Sequence, residues 1–149
     1  MRVSAKVDYA LRATAELAAA QLDSERADSE RAGPIKGERI ATAQGVPLNF
    51  LENILLELRR SGIVASQRGA EGGYWLARPA GDVSVADVIR AVEGPIATVR
   101  GARPEEVDYT GAATALREVW IELRTSMRGV LETTPLADLV ARSTPKESS

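Results

Sequence analysis

Residues 47–79, PLNFLENILLELRRSGIVASQRGAEGGYWLARP, hold the side chains best suited to specific chemistry: Asn49, Phe50, Glu52 and Asn53, then Arg59 and Arg60, then Gln67 and Arg68. The chemistry is recognition, not bond-making. Asparagine matches the adenine edge, glutamate accepts from the cytosine amino group, and arginine suits guanine or phosphate. Those groups need a scaffold that presents them together. Leu48, Leu51, Ile54, Leu55 and Leu58 recur at the three-and-four spacing of one helix face, so a helix over 47–61 buries that stripe and leaves Asn49, Phe50, Glu52 and Asn53 free near its start. Pro47 suits the first helical position, Arg59 and Arg60 complement the negative end of the helix dipole, and Gly62 supplies a left-handed stop.

Ile63 and Val64 then switch to strand propensity. A polar, glycine-rich run from Ser66 to Gly73 separates them from Tyr74, Trp75 and Leu76, which predicts a hairpin over 64–76 with Arg68 near its tip. A helix followed by such a hairpin is how a winged helix-turn-helix reads DNA. The same two parts are also a generic way to close a small core, so the flanking sequence has to decide between them.

Composition removes most alternatives. The 149 residues contain no cysteine and no histidine, which excludes disulfides, zinc fingers, thiolate-held clusters and imidazole bases. No loop gathers carboxylates for a hard cation, so no metal or other cofactor is expected. The glycines at 69, 72 and 73 lack the lysine and hydroxyl residue of a phosphate loop, and G-x-S-x-G is missing, so an enzyme is the weakest reading. No segment reaches the roughly 18 apolar residues of a membrane helix. The N-terminus leads into a charged amphipathic helix instead of a signal sequence, which makes the cytoplasm the default location.

The formal net charge of −2 does not advertise a nucleic-acid binder, but its distribution qualifies that. Residues 33–80 carry six basic side chains (Lys36, Arg39, Arg59, Arg60, Arg68, Arg78) and four acidic ones (Glu38, Glu52, Glu57, Glu71), a surplus of +2; residues 81–149 carry eight against eleven, or −3. Paired heads would double the basic surface, with modest affinity and strong salt dependence.

In chain order, Val3, Val7, Ala10, Leu11, Thr14, Leu17, Ala18 and Leu22 predict an amphipathic first helix over about 4–22. The pentamer Asp-Ser-Glu-Arg-Ala repeats across 23–32 as a solvated insertion, disordered or a frayed extension of that helix. Gly37–Gln44 is long enough for two helical turns, and Gly45-Val46 turns tightly into the 47–61 helix, giving a helix-turn-helix. After the hairpin, Ser84 and Asp87 form a capping box for a helix containing Val85, Val88, Ile89 and Val92. Residues 94–111 read as an irregular linker. From Ala112, Leu116, Trp120, Leu123, Met127 and Val130 alternate steps of four and three, widened by Val119 and Leu131, the seam of a helix that pairs with a partner chain in preference to packing on its own first helix. Trp120 is a core or interface anchor in this reading. A short helix follows Pro135, and 143–149 is a polar tail.

The chain is thus mainly α (α+β): a winged helix-turn-helix domain over 1–93, a linker over 94–111, a dimerisation helix and final short helix over 112–142, and the tail. With this order of parts, Tyr9-Ala10-Leu11, Ile40-Ala41, Leu51-Glu52, Leu58-Arg59, Gly62-Ile63-Val64, Arg68-Gly69, Gly72-Gly73-Tyr74 and Val85-Asp87-Val88-Ile89 resemble, over nearly the whole chain, the Rrf2 family of winged-helix transcription regulators, of IscR, NsrR and CymR type. The resemblance implies a homodimer, more repressor than activator, bound to an imperfect palindrome in double-stranded DNA. It implies base contacts from Asn49 and Glu52 and a minor-groove contact from Arg68, favouring A/T-rich flanks. Cluster-binding members use three linker cysteines; this chain has none, so a cysteine-free member without an iron-sulfur cluster is expected. Its signal, if any, comes from a small molecule, a partner protein or abundance alone. A pocket between the first helix, linker and long helix is the place to seek that effector; Tyr9, Trp75, Tyr109 and Trp120 could line it, although core packing is their commoner role. The competing reading is a winged-helix interaction or ligand-sensing module that does not bind DNA.

Overall fold

The computed structural model describes residues 2–27 and 33–143. Six helices and one hairpin follow in chain order: α1 (Ala5–Arg26), α2 (Gly37–Gln44), α3 (Leu48–Arg60), β1 (Val64–Gln67), β2 (Gly73–Leu76), α4 (Val85–Glu93), α5 (Leu116–Leu131) and α6 (Leu136–Arg142). Short 3-10 turns occupy Ala80–Asp82, Pro104–Glu106 and Gly111–Ala113. The architecture is the expected mainly helical winged helix-turn-helix with a two-stranded wing.

α1 is the central element and packs against α2, α3, α4, α6 and β2. Its buried face is built from Val7, Ala10, Ala13, Thr14, Leu17 and Ala18, and the alanines let neighbouring backbones approach closely. Thr14 is buried without cost because its hydroxyl donates to the Ala10 carbonyl at 2.9 Å. Ser4 caps the helix, its Oγ accepting from the Val7 amide at 3.1 Å. The helix runs four residues past the expected stop at Leu22, because the first charged pentamer contains no breaker and continues as solvent-facing helix to Arg26. Residues 28–32 of the repeat lie outside the described residues.

The helix-turn-helix closes on Gly45, whose φ of 63° ends α2 in the left-handed region, and on Val46, which is buried. Pro47 stands one position earlier than the sequence suggested: extended at ψ 128°, it caps α3, and its carbonyl accepts the first helical bond from the Leu51 amide at 3.0 Å. Leu51, Ile54, Leu55 and Leu58 are buried as the periodicity requires, and Gly62 turns the chain out at φ 83°.

β1 and β2 pair antiparallel from Val64↔Leu76 to Gln67↔Gly73. Ile35 adds a bridge on the outer edge, exchanging bonds with Tyr74 of 2.9 and 2.8 Å. This crowding explains the glycine pair. A Cβ on Gly72 would lie 2.1 Å from the Gln67 carbonyl oxygen, and one on Gly73 would lie 2.6 Å from the Ile35 backbone.

The segment after α4 carries only short turns and an isolated bridge, but it packs against the fold. Ile96, Pro104 and Val107 are buried, Val99 and Ala102 form a small bridge, and the 104–106 turn packs against α5. Glu105 pairs with Arg124 across that contact. α5 begins at Leu116, not Ala112, because Gly111, at φ 59°, opens a separate 3-10 turn. None of the α5 residues is buried within the chain; Trp120 is half-buried instead of a core residue, and its Nε1 donates to the Tyr109 hydroxyl at 2.9 Å. α6 returns to the head, with Leu136 fully buried and its amide donating to the Val83 carbonyl at 2.8 Å. The Ser84–Asp87 capping box starts α4 as expected. No described helix is long and apolar enough to cross a membrane.

Gly72→Ala should destabilise the folded chain by about 1–3 kcal/mol through overpacking of the wing turn. Thermal or denaturant unfolding checks this, and an unchanged midpoint would show that the turn relaxes freely.

Candidate nucleic-acid interface

The leucine stripe of α3 is used up by the core, so the opposite face is left to solvent. Asn49, Phe50, Glu52, Asn53, Arg59 and Arg60 are all exposed, and Leu56 joins them at the edge. Gln67, the last residue of β1, and Arg68, in the wing turn beyond it, are exposed. Arg59 joins the two parts: its Nη1 donates to the Ser66 Oγ at 3.2 Å, fixing the end of α3 to the first wing strand. Asn49, Glu52, Asn53, Arg60 and Arg68 make no side-chain hydrogen bond or ion pair with any other described residue, so their polar groups remain available to a ligand.

Phe50 differs from its neighbours. Although 44% exposed, it meets the Tyr9 ring edge-on at 5.5 Å and 88°, with the Arg12 guanidinium 5.6 Å from the centre of the same tyrosine ring. It therefore steadies the start of α3 against α1 as well as facing outward.

Sequence reasoning missed the clamp behind the turn. Arg12 Nε donates to Gln44 Oε1 at 3.2 Å, and Arg12 Nη2 also donates to the Gln44 carbonyl. The Gln44 amide in turn donates to Glu16, while Arg12 pairs with Asp8 at 3.2 Å. The last residue of α2 is thus gripped by two residues of α1 just before the tight turn. Only the four-residue spacing of Arg12 and Glu16 hinted at a shared face; nothing local in the sequence points to Gln44. A second tie, Lys6 to Glu57 at 2.9 Å, holds α3 to α1.

On the other side, the predicted seam residues lie along α5, with Leu116, Trp120, Leu123 and Met127 half-buried and Val119 and Val130 exposed at 50% and 65%. A cavity of about 530 Å³ does lie between α1, the linker and α5, but its wall is aliphatic, including Val7, Leu11, Ile89, Ile96, Met127 and Val130. None of the four large aromatics lines it. Tyr9 packs on Phe50, Trp75 sits in the wing strand, and Tyr109 and Trp120 bond to each other.

The Rrf2 family profile, described as an iron-dependent transcriptional regulator, matches residues 3–142. The chain is 45% identical over 146 residues to a candidate HTH-type transcriptional regulator of Mycobacterium tuberculosis, Rv1287, across 98% of this chain and 85% of that one. It is 34% identical to the HTH-type transcriptional regulator CymR of Bacillus subtilis, across 95% of this chain and 91% of that one. The solved structure of B. subtilis CymR, the global cysteine regulator, superposes with a TM-score of 0.76 at 33% identity, covering 95% of this chain and 98% of that one. T. potens IscR gives 0.75 at 30% identity, covering 100% and 93%.

The iron in the family description needs donors that this chain does not supply. There is no thiolate or imidazole in the sequence, and the described residues hold no group of three carboxylates able to surround a cation. The residues do not fit such a centre.

Arg12→Ala should cost about 1–3 kcal/mol, because it leaves Gln44 without its donors. Chemical unfolding should report that loss, whereas wild-type stability would assign the clamp no role.

Proposed function

Because the chain belongs to the Rrf2 family of transcriptional regulators, we propose that it is a homodimeric, sequence-specific repressor that binds a palindromic operator. The observation that supports this best is the outward polar face of α3, tied to the wing at Arg59 and Ser66. In this reading residues 1–93 form the DNA-binding head, and α3 enters the major groove. Asn49 and Glu52 read base edges there, Phe50 and Asn53 complete the contact surface, and Arg59, Arg60 and Gln67 meet the phosphates. Arg68 enters the flanking minor groove, where arginine responds to the narrow width of A/T-rich DNA.

Two heads read two half-sites about one helical turn, roughly 34 Å, apart. The linker over 94–111 leads to the pairing element over 112–142. Leu116, Val119, Trp120, Leu123, Met127 and Val130 of α5 pair with a second copy of the chain, which gives their exposed apolar surface a partner. Repression follows where such a dimer covers a promoter and excludes polymerase. The regulator acts in the cytoplasm, and no catalytic step is part of the proposal. The net charge of −2 favours one competitor, a winged module that binds a protein and no DNA. Co-purification of a partner without any shift of duplex DNA would support that competitor.

Glu52→Ala and Arg68→Ala should each weaken or relax operator binding by about 1–3 kcal/mol, with Arg68→Ala also reducing the salt slope. Full retention of affinity and selectivity in both variants would reject these assignments. Sedimentation should show a wild-type dimer and a Val119→Asp/Val130→Asp monomer; a monomeric wild type would reject the pairing role of α5.

A further inference from the structure

Between the end of α4, the linker and one flank of α5 lies a cavity of about 620 Å³ whose wall carries Arg90, Arg103, Arg124 and Arg128, against the carboxylate of Glu105. From this convergence of guanidinium groups we propose a binding site for the carboxylate or phosphate group of a small metabolite. The site lies apart from the α3 and wing face and does not depend on the DNA reading.

The charge balance of the wall supports an anion. Arg90 is matched by Glu132 at 2.7 Å, and Arg124 by Glu105. The other two are poorly neutralised: Arg103 reaches Glu106 only at 3.9 Å, and Arg128 has no ion-pair partner among the described residues. The hydrogen bond from Arg124 holds Glu105 below its ordinary carboxylate pKa, so the one carboxylate present is committed to Arg124. Arg124 is nevertheless incompletely satisfied, because its Nε is buried with no acceptor. Buried donors normally find partners, and an oxyanion would supply acceptors to several of these groups at once. The planar arginine fork suits carboxylate and phosphate oxygens through paired, charge-assisted hydrogen bonds.

The loop that forms the wall is also held in an unusual conformation. Ala97, which lines the cavity, and Arg100 adopt φ values of 59° and 49°, the left-handed region that non-glycine residues seldom occupy, and the Val99–Ala102 bridge closes the turn around Arg100. Such conformations persist where surrounding structure enforces them, commonly at ligand sites. The four arginines come from three separate segments: α4 of the head, the linker and α5. A ligand held by all of them would tie the head to the long helix, which gives the site a means to alter their relative placement.

The test uses the full chain without DNA. Inorganic phosphate and, separately, succinate are titrated by calorimetry at constant ionic strength, with thermal unfolding as the second readout. At least one probe should bind saturably and raise the midpoint. Arg103→Gln/Arg128→Gln should weaken that binding by about tenfold or more, as expected for lost hydrogen bonds to a charged group. Both side chains are exposed, and the midpoint of the unliganded variant establishes that it folds. Arg142→Gln at the end of α6 should leave binding unchanged. No saturable binding of either probe to the wild type, or equal binding by the wild type and the double variant, would overturn the proposal.

Discussion

The buried face of α1 is the constraint on which the rest of the structure depends. Ala10, Ala13, Thr14, Leu17 and Ala18 make a narrow, nearly featureless surface against which α2, α3, α4, α6 and the wing all settle. Because Leu51, Ile54, Leu55 and Leu58 are committed to that core, α3 cannot rotate without exposing leucine, and its polar face is fixed outward. The orientation of Asn49 and Glu52 is therefore a consequence of hydrophobic burial several ångströms away. Polar ties from the flanks of α1 refine it: Arg12 and Glu16 on Gln44, Lys6 on Glu57, and Tyr9 on Phe50.

What the sequence made legible was whatever obeys a local rule. The α3 stripe follows a helical period, Gly45 and Gly62 mark left-handed stops, and Ser84 with Asp87 is a three-residue capping pattern. The wing was legible through its glycines, although the reason for Gly73 was not, since the crowding comes from Ile35, far earlier in the chain. The Gln44 clamp left no trace for the same reason, because its bonds span 28 and 32 residues. The packing of the 94–111 segment was not legible because it rests on isolated side chains, Ile96, Pro104 and Val107, with no period to betray it. Aromatic content proved a poor guide to the cavity beside α5, which aliphatic residues line instead.

The two proposed sites divide the electrostatics of the chain. In the proposed reading, contact with DNA would rest on a small number of exposed arginines in a head with little basic surplus, so its affinity would depend on pairing two heads on one duplex. The greater concentration of guanidinium groups lies elsewhere, around the linker. With neither thiolate nor imidazole available, the chemistry open to this joint is charge pairing and hydrogen bonding, which favours reversible occupancy by an anion over redox sensing.

The central claim is that α3 and the wing read a specific duplex as a symmetric pair. Genome-wide footprinting of the bound protein tests it most directly. Recurrent sites made of two inverted half-sites about one helical turn apart are expected, with A/T-rich flanks where Arg68 would enter the minor groove. Occupancy with no recurrent sequence, or a single unpaired motif, would contradict it.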